Sequence, residues 1–248
     1  MFAKLFAVVL AIVSVAQAAP CNGAARVIQN CEVSGSVAFT FDDGPAGYET
    51  QIANSLNGGK GTFFVNGNNW DCIYDKADDL KALYAGGHTI GSHTWSHADL
   101  SRLNSAQINT ELAKVEDAMI KILGVRPIYF RPPYGSYNDQ VIQVLKDRGY
   151  SKLFMWTDDI EDGNRNGEDV PFAKSVIDRV ARDYPKPHMI LSHSPYASTA
   201  NQVVPYAVSK LQGAGYKLQT VDQCLGSAGE WPYIWVGQPG QRDASWKC

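Results

Sequence analysis

Short β-rich apolar runs alternate with longer stretches of helical periodicity between residues 36 and 220, the pattern of a parallel β/α architecture. Seven runs are predicted strands: residues 37–41, 61–65, 88–92, 128–130, 152–156, 189–192 and 216–219. A barrel is the natural closed form of such a set. The clearest helix covers residues 106–123, where Ile108, Leu112, Val115, Met119 and Ile122 keep one apolar face. Ser105 is its expected cap and Gly124 its stop. Weaker helices are expected over 139–148, 171–183 and 202–211. After Cys224 the tail carries Trp231, Tyr233, Trp235 and Trp246 among Gly and Pro. It is expected to lie extended on the barrel, with its tryptophans packed against the domain.

Composition narrows this picture. With 248 residues, 45% hydrophobic and 19% charged, the chain suits one large globular domain and argues against disorder. Met1-Phe2-Ala3-Lys4 runs into an apolar stretch and then Ala16-Gln17-Ala18, the order of a secretory signal peptide. The expected organisation is a leader over 1–18 and a mature catalytic domain over 19–248. Its motif-bearing core spans 36–226, and an extension covers 227–248. The formal net charge is −3, and loss of Lys4 with the leader leaves −4. Such a balance gives no footprint for nucleic acid or an acidic membrane and is compatible with a neutral, bulky substrate. Cys21, Cys31, Cys72, Cys224 and Cys248 all follow the leader. They match no zinc-knuckle spacing, so disulfides in an oxidising, extracellular or cell-wall setting are expected, with one thiol left over and the pairing open.

Five motifs carry chemistry, each at or just after the end of a predicted strand, where barrel folds assemble their sites. Thr40-Phe41-Asp42-Asp43-Gly44-Pro45 sets two carboxylates side by side. The Gly-Pro break lets both turn into one pocket, one as a general base and the other as a metal ligand. In His93-Thr94-Trp95-Ser96-His97 the histidines stand four apart, a spacing that lies on one face of a helical turn and can grip one divalent ion. Thr94 stands where a His-Glu-x-x-His protease carries glutamate, which disfavours that class. Arg131-Pro132-Pro133-Tyr134-Gly135 holds an arginine rigidly at a strand mouth and offers the Tyr134 amide to a developing oxyanion. Trp156-Thr157-Asp158-Asp159-Ile160-Glu161-Asp162-Gly163 is acid-rich, and one of its acids can pair with Arg131. Ile190-Leu191-Ser192-His193 delivers a histidine to the same rim, where a general acid is needed.

In this order, over roughly residues 36–226, the motifs resemble the polysaccharide deacetylase superfamily, carbohydrate esterase family four. The runs Gly61-Thr62-Phe63-Phe64-Val65-Asn66-Gly67-Asn68-Asn69-Trp70 and Val221-Asp222-Gln223-Cys224-Leu225-Gly226 look most like secreted fungal chitin deacetylases. The resemblance implies an α/β fold, a distorted (β/α) barrel of seven or eight parallel strands. It implies Asp42 as catalytic base, with Asp43, His93 and His97 holding one divalent metal ion, zinc ahead of cobalt. His193 is then the general acid, and Arg131 holds and tunes Asp42. An acid of the fourth motif supports Arg131, Asp162 being favoured over Asp159. Tyr134 supplies the oxyanion amide, Leu191 lines the acetyl-methyl pocket and Trp70 flanks the sugar. The fourth motif departs from the family pattern, because Asp162 is followed by Gly163 and not by an aromatic residue.

The activity expected is removal of N-acetyl groups from chitin or chito-oligosaccharides by a secreted monomer. An acetylxylan esterase or a peptidoglycan deacetylase would use the same machinery. A wall-associated polysaccharide-binding protein without catalysis and a two-carboxylate glycoside hydrolase are readings of other classes.

Overall fold

The computed structural model describes residues 25–164 and 167–248, so the expected leader and Cys21 lie outside the described residues. Among the described residues eleven strands form: β1 (Arg26–Ile28), β2 (Ser36–Asp42), β3 (Thr62–Val65), β4 (Thr89–Ser92), β5 (Val125–Pro127), β6 (Tyr129–Phe130), β7 (Lys152–Phe154), β8 (Asp158–Asp159), β9 (His188–His193), β10 (Lys217–Gln219) and β11 (Tyr233–Trp235). The helices are α1 (Glu49–Ser55), α2 (Ala77–Ala85), α3 (Ser105–Leu123), α4 (Asp139–Asp147), α5 (Val170–Arg182), α6 (Val204–Gly213) and α7 (Val221–Cys224). All seven predicted strands are present. Four more, β1, β5, β8 and β11, have only two or three residues each and stand outside the apolar runs that mark the predicted strands.

The main sheet is parallel and runs β1-β7-β6-β4-β3-β2-β9-β8, with β10 also on β2. Its ends meet through the chain itself, because β7 and β8 are consecutive segments of one stretch, residues 152–159. The Thr157 amide bonds across to Met189 on β9 while the Met155 amide bonds to Ile28 on β1. The sheet therefore curls into a distorted barrel.

Alternation along the strands sorts the side chains. On β2, Val37, Phe39 and Phe41 join the layer between sheet and helices, together with Phe63, Ile90, Ile190 and the buried faces of α1, α2, α5 and α6. The alternate residue Ala38 faces a second cluster with Phe64, Tyr129, Phe154 and Met189, which fills the barrel interior. Thr40 and Asp42 continue that inward face at its upper end. The register of β2 against β9 places Asp42 beside His193. A disulfide between Cys31 and Cys224 belongs to the interior cluster.

Helix α3 keeps the predicted face, with Ile108, Leu112, Val115, Met119 and Ile122 all buried, each such side chain contributing roughly 1.5–3 kcal/mol. Its cap is Asn104, one residue before the expected Ser105, because Asn104 and Gln107 satisfy each other's backbone amides in a capping box. Gly124 closes the helix in the left-handed conformation, φ 73°. The tail lies along the barrel as expected, with β11 antiparallel to β5. Its tryptophans divide: Trp246 is buried against Tyr74, whereas Trp231 and Trp235 are exposed, which corrects the expectation that all of them pack. A second disulfide joins Cys72 to Cys248.

Candidate active site

The strand ends carrying the motifs surround one cavity of about 350 Å³, lined among others by Asp42, Asp43, His93, His97, Tyr134, Asp159, Leu191 and His193. Asp42 ends β2 and points inward with Thr40. Asp43 leaves the strand in a left-handed conformation, φ 69°. That turn brings the second carboxylate to the same pocket, against the strand rule that would send it to the opposite face.

His93 and His97 converge, but not on a helical turn. No helix forms over 93–97; Thr94 and His97 take positive φ values of 71° and 59°, and the loop curls until both Nε2 atoms face Asp43. Asn66, directly after β3, holds this curl, its side-chain amide donating to the carbonyls of His93 and Thr94. Asp43 Oδ1 stands 3.4 Å from His93 Nε2 and 3.1 Å from His97 Nε2. Each ring is fixed from its other side, His93 Nδ1 donating to the Arg131 carbonyl at 2.7 Å and His97 Nδ1 meeting the Tyr134 hydroxyl at 3.2 Å. Asp43 Oδ1 is buried with no well-aligned hydrogen-bond donor, a costly arrangement unless a cation occupies the space. Burial pushes the Asp43 carboxyl up, but the facing His93 and His97 imidazoles outweigh it and hold the group well below the usual carboxylate range. Three ligand atoms of Asp43, His93 and His97 lie within 4.8 Å of one another. One carboxylate and two imidazoles, each imidazole braced from behind, fit a divalent transition metal with an open position.

Asp42 receives a charge-assisted bond from Arg131 Nη1 at 2.9 Å. Arg131 is fully buried, and its other donors go to Thr40 Oγ1 at 2.6 Å, the Phe154 carbonyl at 3.3 Å and the Met155 carbonyl at 2.8 Å. Its guanidinium packs over the Phe64 ring at 4.4 Å. Removing one member of such a buried pair costs about 3–5 kcal/mol, so this arginine is structural as well as electrostatic. Neither Asp159 nor Asp162 is among these partners, although the charge of Asp159 acts on the guanidinium from a distance; beyond Asp42 and Thr40, backbone carbonyls take its donors. This corrects the assignment of Asp162 as its support.

Asp162 instead stands behind His193. Its Oδ1 accepts from His193 Nδ1 at 2.7 Å, and its Oδ2 accepts from the His193 amide at 2.9 Å and from Thr199 Oγ1 at 2.7 Å. Burial works against a charged imidazole, but Asp162, with Asp42 and Asp43 beyond it, pushes His193 up to about 9. Asp159 lines the cavity and accepts from the Glu161 amide at 2.7 Å; burial raises its pKa. Gly163 explains the departure in the fourth motif, since a Cβ there would fall 2.6 Å from His193 Cε1. A side chain at 163 would displace that ring.

Tyr134 sits on the rim at φ 60°, largely exposed, and Leu191 is buried in the wall. Trp70 does not line the cavity. It stands one ring further out, packed edge-on against Tyr196 at 5.8 Å, and Tyr196 lines the cavity 6.1 Å from the His193 ring. Thr40, Tyr196 and Thr199 were given no role from sequence. Strand periodicity is the available signal for Thr40, two residues before Asp42; Tyr196, in a loop, and Thr199, at the start of the helical turn Thr199–Val203, carry none.

The sequence profile of the family described as polysaccharide deacetylase matches residues 29–153. A chitin deacetylase of Pestalotiopsis sp is 36% identical over 92% of this chain and 78% of its own length. The chain belongs to the polysaccharide deacetylase family. A probable peptidoglycan-N-acetylglucosamine deacetylase of Arthroderma benhamiae is 35% identical over 81% of this chain, which spans 46% of that relative's length. The solved chitin deacetylase of Colletotrichum lindemuthianum superposes with a TM-score of 0.79 at 32% identity, covering 85% of this chain and 96% of that one. The distorted barrel described above is thus the deacetylase fold.

Proposed function

We propose that this chain is a secreted, metal-dependent chitin deacetylase that hydrolyses the N-acetyl groups of chitin or chito-oligosaccharides to acetate and glucosamine units. The observation that carries the reading is the pairing of Asp42 with His193 across β2 and β9. Each is braced by its own buried partner, Arg131 or Asp162, beside the Asp43–His93–His97 cluster. Likeness to the Pestalotiopsis and Colletotrichum chitin deacetylases supports the choice of polymer.

Asp43, His93 and His97 would hold the divalent ion, with zinc the best match to two nitrogens and one oxygen. When bound, the ion supplies Lewis-acid polarisation of the acetamide carbonyl and acidifies a water. Asp42, oriented by Arg131, takes the proton of the attacking water. The Tyr134 amide donates to the oxyanion that develops on the carbonyl, a type of contact worth ~3 kcal/mol in other hydrolases. The imidazolium of His193 gives its Nδ1 proton to the hydrogen bond with Asp162 and delivers the proton on Nε2 to the departing sugar nitrogen. Leu191 lines the wall for the acetyl methyl, and Tyr196 with Trp70 offers aromatic faces to the sugar chain.

A deacetylase of peptidoglycan N-acetylglucosamine is the second reading, favoured by the similarity to the Arthroderma benhamiae relative; the bond cleaved is the same. Secretion through residues 1–18, one catalytic domain over 19–248 and a monomeric state complete the proposal. Two disulfides support an oxidising compartment, and no described helix is long and apolar enough to cross a membrane. Acetate release from chito-oligosaccharides, peptidoglycan and acetylated xylan, assayed side by side before and after chelation, tests the assignment. Chelator-sensitive release from the first substrate is expected, and preference for another polymer would replace chitin in the proposal.

A further inference from the structure

Glu49 is fully buried at the first position of α1, yet it lies outside all five motifs and takes no part in the chemistry above. Its Oε1 accepts from the Ala46 amide at 3.0 Å and from Ser194 Oγ at 2.7 Å, and its Oε2 accepts from the Gly47 amide at 2.9 Å. Ala46 and Gly47 belong to the loop that follows Asp42 and Asp43. Ser194 follows His193, and its amide donates to the Asp42 carbonyl at 3.1 Å. One side chain therefore clasps the chain leaving the base to the chain leaving the acid.

The packing around this clasp leaves no slack. A Cβ on Gly44 would lie 2.5 Å from Glu49 Oε1 and 2.7 Å from Ser194 Oγ, so glycine is required for the two segments to approach so closely. The Gly44 carbonyl in turn accepts from the Asn66 amide at 2.7 Å, and the Asn66 side chain holds the His93–Thr94 carbonyls. The clasp thus reaches the three strand ends that present Asp42, His93 and His193.

We propose that Glu49, acting through Ser194, is a positioning residue that sets the spacing between the Asp42 carboxylate and the His193 imidazole. The inference rests on the deacetylase reading. The Ala46 and Gly47 amides, one on each oxygen, both require an acceptor at position 49, so Glu49→Gln, which keeps the shape, turns an amide N–H₂ against one of them. Ser194→Ala removes the link to the acid while Glu49 still holds the 46–47 loop. Neither residue reaches the cavity wall, so substrate affinity should not change. Displacing paired catalytic groups by a fraction of an ångström to an ångström costs on the order of 10- to 100-fold in rate.

The test is steady-state deacetylation of a chito-oligosaccharide by wild type, Glu49→Gln and Ser194→Ala, with metal content and thermal melting measured on the same samples. The expected result is a fall in kcat of about 10- to 100-fold with KM within roughly twofold of wild type, at unchanged metal content. Wild-type kcat in either folded variant overturns the proposal, as does a rise in KM with kcat held. Should Glu49→Gln fail to fold, Ser194→Ala decides by the same criteria. A wild-type protein that releases no acetate overturns the activity itself, a separate failure that the control reveals.

Discussion

At the residue scale the site is two carboxylate–cation pairs facing each other, Asp42 with Arg131 and Asp162 with His193. His193 is pushed up to about 9, so it holds its proton below that pH and loses it above, and general-acid activity falls on the alkaline side. Asp162 is the largest contributor raising it. Asp162→Asn should therefore move the alkaline limb of the kcat profile to lower pH, toward the ordinary imidazole value, and an unmoved limb would deny Asp162 that role. Asp42→Ala should lower kcat by about 10²- to 10⁴-fold and, by leaving the buried Arg131 unpaired, lower stability by about 3–5 kcal/mol, which acetate release together with denaturant melts checks.

The residue types of this site were legible because motif spacing and strand ends coincide; their partnerships were not. Asp43, Thr94, His97, Tyr134 and Glu161 are non-glycine residues with φ between 55° and 71°, a conformation that no sequence pattern announces. Such strain gathers at functional sites. It is why two histidines meet Asp43 without a helix, and why Asp162 turns toward His193 and away from Arg131.

At the scale of elements, strands longer than three residues were readable from buried apolar alternation, and β2 shows why that matters: the period that seals Phe39 and Phe41 under the helices also aims Thr40 and Asp42 inward. β8, two aspartates paired with β9, has no apolar residue and leaves no such trace. Helix α3 was legible because its apolar face is long. Its cap is independent of the site, so Asn104→Ala should cost about 1 kcal/mol of stability in denaturant melts with kcat unchanged. The tail acts on the loop that carries Trp70. Cys248 is bonded to Cys72, Trp246 packs on Tyr74, and Arg242 donates to the Tyr74 carbonyl. Cys248→Ser should raise KM for long chito-oligosaccharides more than it changes kcat, as initial-rate measurements would reveal.

For the whole molecule, the Cys31–Cys224 bond spans 193 residues of sequence and sits in the interior cluster beneath the site. Replacing both cysteines by serine should remove roughly 3 kcal/mol and lower Tm by about 10 °C in calorimetry, leaving the catalytic groups in place at low temperature.

The central claim is that the Asp43–His93–His97 cluster, loaded with a divalent ion beside Asp42 and His193, removes acetyl groups from a chitin chain. Mass spectrometry of a defined chito-oligosaccharide, treated with chelated protein and then with the same protein reloaded with zinc, tests it most directly. The predicted result is stepwise loss of acetyl groups, with chain length preserved, only after reloading. Intact acetyl groups on a metal-loaded protein, or shortened chains without acetate, would contradict it.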